Sequence, residues 1–181
     1  MADSPAAGDF LVASELLTDP NFAGTVILLC EHDGEGSLGL VLNRPLTVQL
    51  PELLPDVDLL QCDAAIHWGG PVKADALHAL KDGPPGPDAA EVYPGLAFGG
   101  QLEDLIAAWA EGTAVRFYLG YAGWGPQQLL DELGEGAWHV IRAQPKHIFP
   151  ERPEALWGRL MGEIDPAWRH LKHQPRDPDL N

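Results

Sequence analysis

With 181 residues the chain is long enough for one domain with a substantial core and short for two. Its hydrophobic content of 45% and charged content of 21% are those of a globular protein, which argues against wholesale disorder. Eleven Lys and Arg against 27 Asp and Glu give a formal net charge of −16, a sign that opposes nucleic acids and anionic membrane surfaces alike.

Residues 1–8 read as a flexible start. They lack the basic and apolar regions of a secretory signal, so cytoplasm is the expected location. Phe10-Leu11-Val12-Ala13 is predicted as a short strand and Thr18-Asp19-Pro20-Asn21 as a turn. Thr25–Cys30 is β-branched and aliphatic, the pattern of a strand buried on both faces. It is far shorter than the roughly 20 apolar residues of a membrane helix. Ser37–Leu42 follows as its hairpin partner across Asp33-Gly34-Glu35-Gly36. The two cysteines, Cys30 and Cys62, are too few for a disulfide scaffold.

Val48–Leu60 is acidic and punctuated by Pro, with room for a short helix. Ile66-His67-Trp68 leads into Gly69-Gly70-Pro71-Val72, Ala76–Leu80 is ambiguous in type, and Asp82–Asp88 is a loop. Gln101–Glu111 places Leu102, Leu105, Ile106 and Trp109 at helical spacing, with Gly112 as a stop. Val115, Phe117 and Leu119 alternate with Arg116 and Tyr118, a strand pattern. Gly120–Pro126 is expected to be a constrained loop into a helix that ends at Gly134. Trp138–Ile141 is a further strand, Pro153 opens a helix with Leu156, Trp157, Leu160 and Met161 on one stripe, and 172–181 is an extended tail. A hairpin first, then strands alternating with helices, predicts a single α+β or mixed α/β domain, 1–181, around a mixed sheet.

Common catalytic signatures are missing: no Gly-x-Ser-x-Gly elbow, phosphate-binding Gly-rich loop, Cys-x-x-Cys pair or His-Glu-x-x-His. No metal site or cofactor is predicted. His170 and His173 could share a helix face, but a zinc site needs further ligands. Glu31 and His32 close a buried strand and are candidates for acid/base catalysis, or for a polar hairpin end that caps backbone groups.

The acidity is concentrated in residues 1–140, which hold four basic side chains against 21 acidic ones. Asn43-Arg44 stands out there, because Arg44 is the only basic residue among the first 72. It could receive an anion bidentately or pair internally with a carboxylate. Gly69-Gly70 could expose backbone N–H groups to an anion or form a tight turn. Gly120, Tyr121 and Trp124 could frame a ligand or pack upon themselves. If these segments converge, they form a binding surface for a small anionic ligand or a protein partner.

Gly8–Ala13, Leu17–Phe22, Val26–Asp33, Gly39–Pro45, Gly69–Val72, Arg116–Leu130 and Trp138, with Ile148-Phe149 and Trp157, together resemble the AlgH/YqgE family across nearly the whole chain. The resemblance implies a mixed, partly barrel-like sheet flanked by helices in a bacterial cytoplasmic protein. It brings no catalytic triad or cofactor. Members are often labelled transcriptional regulators, but no helix-turn-helix is evident here and the charge has the wrong sign for DNA. One departure concerns the family's Trp-Gly-x-Gly-Gln-Leu, which here is Trp124-Gly125-Pro126-Gln127-Gln128-Leu129, with Gln127 in place of a glycine. The expectation is a non-enzymatic binding or regulatory protein. The alternatives are an enzyme using Glu31 and His32, and a transcriptional regulator.

Overall fold

A computed structural model describes residues 4–57 and 62–171. The apolar run after Gly24 forms β2 (Val26–Asp33), whose first five residues are buried. It lies between β3 (Gly36–Val41) and β1 (Asp9–Ala13), both antiparallel to it. Two faces of such a strand can be apolar only if both are covered. Here Val26, Leu28 and Cys30 join one core cluster, while Ile27 and Leu29 join another.

The short α1 (Leu50–Leu53) and β4 (Ile66–Trp68) come next, followed by β5 (Val72–Asp82), β6 (Ala89–Tyr93) and β7 (Leu96–Gly99). After α2 (Leu102–Ala110) come β8 (Val115–Trp124), α3 (Gln128–Gly134), β9 (Trp138–Arg142), α4 (Leu156–Ile164) and α5 (Trp168–Leu171). The strand order is β6-β7-β5-β8-β3-β2-β1-β9, with β4 parallel to β8 and every other pairing antiparallel. The domain is therefore mixed α+β around a mixed sheet. Its ladder does not close; β6 and β9 stay as edges. The sheet nonetheless curls, so Phe10, Leu28 and Leu40 share one core with Leu80, Val92 and Leu96.

Local signals explain most elements. α2 carries Glu103 and Asp104 in its first turn, where they favour the positive helix end, and Gly112 at φ +91° takes the left-handed turn after it. Two expectations need correction, and one hairpin went unread. Gly120–Trp124 is not a loop: β8 runs through it to Trp124, because Gly120 at φ +71° bends the strand without ending it. The hairpin of β6 and β7 follows the Pro-rich loop and has no strong sequence signal, since Ala and Gly are poor strand markers. Residues 5–8 are also held rather than loose: Pro5 is buried, and the Gly8 amide donates to the Leu29 carbonyl at 2.8 Å. The predicted tail and His173 lie outside the described residues.

Candidate functional site

Most of the sequence's ligand candidates act on one another. β4 leads into Gly69-Gly70, which crosses β8 at Gly120-Tyr121. A Cβ on Gly69 would collide with the Gly120 carbonyl, one on Gly70 with the Tyr121 backbone, and one on Gly120 with the Gly70 carbonyl. These three glycines allow two backbones to cross, which leaves no room for a ligand between them. Asn43 is buried and clips the chain internally, accepting from the Val26 amide and donating to the Gly24 carbonyl, both at 2.9 Å.

Arg44 is committed as well. Its guanidinium donates to the carbonyls of Asn21 at 2.7 Å and Ala23 at 3.0 Å, with a longer bond to Pro20 at 3.4 Å, and it lies 5.1 Å from the Trp68 ring centroid. Partial burial lowers its pKa, opposed by the nearby Asp19 carboxylate. Its partners are backbone carbonyls of the 20–23 loop, and it forms no ion pair with a carboxylate among the described residues. Asn43 and Arg44 border a small concavity of about 210 Å3 shared with Glu154 and Trp157.

Tyr121 and Trp124 open elsewhere, onto a cleft of about 480 Å3 lined also by Glu31, Asp33, Glu35, Val72 and Gly123. The register carries Glu31 opposite Leu38 and Leu38 opposite Gly123, so one face of β2, β3 and β8 forms its floor. The Tyr121 ring leans over Gly123, where a Cβ would sit 3.2 Å from it. Trp124 is wedged beneath, its indole N–H donating to Glu132 at 2.9 Å and its ring stacked on Phe22. Glu31, Asp33 and Glu35 are exposed and form no ion pair among the described residues. The cleft is thus acidic, with an aromatic wall.

His32 is not in it. Neighbours along a strand point to opposite faces, and His32 turns away from Glu31 to place Nδ1 2.7 Å from Ser37 Oγ. Gln127 is exposed at the entrance to α3 with φ −110°, a conformation open to any residue, and its side chain donates to Asp131 at 3.3 Å. The glycine of the family pattern is not required there.

Sequence reasoning missed a second group of residues, His67, His78, Arg116 and Tyr118. Tyr118 is fully buried and His67 is 1% exposed, so the face of β8 that carries Arg116 and Tyr118 is covered as well as the apolar face of Val115 and Phe117. Burial, reinforced by the Arg116 charge, pushes the His67 pKa down to about 4. Burial also lowers His78 and raises the Tyr118 phenol, the nearby Arg116 opposing the latter. The available signal was the run of polar residues at matched positions of β4, β5 and β8, visible only once the pairing is known.

The fold and the cleft define a curled mixed-sheet α+β protein. The profile of the AlgH-like family matches residues 10–169, and the chain belongs to that family. A UPF0301 protein of Chlorobaculum parvum is 38% identical over 180 residues, covering 97% of this chain and 95% of its own. A UPF0301 protein of Streptomyces coelicolor is 40% identical over 189 residues, covering 98% and 96%. The solution structure of the AlgH protein from Pseudomonas aeruginosa superposes with a TM-score of 0.75 at 33% identity, over 98% of this chain and all of that one. No helix among the described residues is long and apolar enough to cross a membrane.

Proposed function

We propose that this is a non-enzymatic binding or regulatory protein of the cytosol, and that its partner is a protein presenting Lys or Arg to the cleft beside Tyr121. The observation that carries the reading is the convergence of Glu31, Asp33 and Glu35 on one concavity, without a counter-ion among the described residues. Carboxylates attract a cationic side chain at long range, and the Tyr121 ring gives its charge and stem an aromatic surface to lie against. The same charges disfavour a small anion at this cleft. Separation of Glu31 from His32 removes the acid/base pair that an enzymatic reading would use, and the acidic surface opposes direct DNA contact.

Titration calorimetry with a Lys/Arg-rich peptide tests the proposal, comparing wild type with the Glu31→Gln, Glu35→Gln double variant. Binding of the basic peptide should weaken about fivefold or more in the variant and fade as salt rises. A glutamate-rich peptide should not bind. Equal affinity of the basic peptide for both proteins, or none for wild type, overturns the reading.

A further inference from the structure

Among the described residues, seven buried polar side-chain atoms lack a well-aligned hydrogen-bond partner, and five of them belong to one cluster. They are His67 Nδ1 and Nε2, His78 Nε2, Arg116 Nη1 and the Tyr118 hydroxyl. The register explains their meeting: His67 of β4 and His78 of β5 both pair with Tyr118 of β8, and Arg116 lies two residues along β8 on the same face. The His67 and Tyr118 ring centroids are 5.8 Å apart.

Folded proteins rarely leave buried donors unpaired, and a concentration of them marks a place where something polar belongs. The deficit here has a sign. Arg116 carries a positive charge and only donates. Its Nη2 donates to the Pro150 carbonyl at 3.3 Å and its guanidinium lies 5.9 Å from the Phe149 centroid, yet no carboxylate stands within ion-pair distance among the described residues. Arg116 lies close enough to the Tyr118 hydroxyl for a hydrogen bond from its guanidinium to oppose the rise of the phenol pKa. Tyr118 and the two imidazoles could satisfy one another in part, but none can supply the missing negative charge. Arg116 and His78 are only half-buried, so the cluster is not sealed from solvent.

We propose that this row is a binding site for a small oxyanion, held by Arg116 and Tyr118 with His67 and His78 as flanking donors. Arg116 supplies the charge and the three aromatic side chains supply neutral hydrogen bonds, an arrangement suited to an oxyanion with several acceptor oxygens. The site shares none of these four residues with the lining of the acidic cleft, although His78 meets Tyr121 edge-on at 5.6 Å between ring centroids, and it is opposite to the cleft in the charge it selects.

Inorganic phosphate is the probe, with sulfate, acetate and chloride at matched ionic strength, read by thermal unfolding. A ligand that binds the native state raises Tm by mass action, so phosphate up to about 10 mM should raise it in wild type. The rise should be at least halved in Tyr118→Phe, which keeps the ring, and abolished in Arg116→Met. It should persist in the Glu31→Gln, Glu35→Gln variant, which separates this site from the cleft. Should Arg116→Met fail to fold, Tyr118→Phe decides the question. An equal rise in every variant is a general salt effect and overturns the proposal. No rise in wild type, or a crystal grown in phosphate with only water at Arg116, does the same.

Discussion

Arg44 and Arg116 are two of only four basic residues in the first 140, and they sit on opposite faces of β4. Arg44 lies over Trp68, whereas burial and the Arg116 charge together lower the pKa of the neighbouring His67. Arg44 satisfies its guanidinium with the carbonyls of a loop, whereas Arg116 retains a buried nitrogen without a partner. One is a structural clamp; the other has binding capacity to spare. Rarity in an acidic sequence therefore does not identify a ligand-binding cation, because backbone carbonyls compete for it and they carry no sequence signature.

The largest effect should come from breaking the crossing that holds β4 between these arginines. Gly70→Ala drives a Cβ into the Tyr121 backbone, and neither chain can yield without loosening the end of β4. A loss of about 3 kcal/mol or more in urea unfolding is expected. A loss below about 1 kcal/mol would mean that the crossing is not rigid.

Next comes pH, which probes the Arg116 side alone. Because the folded-state pKa of His67 is about 4 against an ordinary 6.5, the unfolded chain binds more protons between those values. Stability should be full above pH 6.5 and fall as pH drops toward 4, by up to about 3 kcal/mol. His78 and His147 are also lowered chiefly by burial and act in the same direction. His67→Gln should flatten the slope measurably; an unchanged slope would assign it to other groups.

Arg44→Met then tests the clamp. It removes two good hydrogen bonds to the 20–23 loop while keeping most of the apolar stem over Trp68, and should cost about 2 kcal/mol without altering any response to phosphate. Loss of that response would tie Arg44 to the anion after all. The cleft substitutions Glu31→Gln and Glu35→Gln should change stability least, within about 0.5 kcal/mol, since both side chains are exposed and unpaired among the described residues.

Much of the fold was legible because its causes are local. The apolar run Val26–Cys30 with its hairpin partner, the 3.6-residue stripe of Gln101–Glu111 and the Pro-marked start near Leu156 each declare an element through neighbours in sequence. Glu31, Tyr121 and Trp124 were also singled out, and they do share a cleft. Asn43, Arg44, Gly69, Gly70 and Gly120 were singled out too, but they hold the chain together.

By itself, then, the sequence determined the acidity, the α+β class and most strands and helices, since periodicity, turn residues and charge act over a few positions. Only the tertiary structure decided which polar side chains are buried. Whether Tyr118 meets solvent depends on β4 and β5 lying on either side of β8 and on the sheet curling over that face. Those pairings join residues 34 to 51 positions apart, beyond the reach of any local pattern.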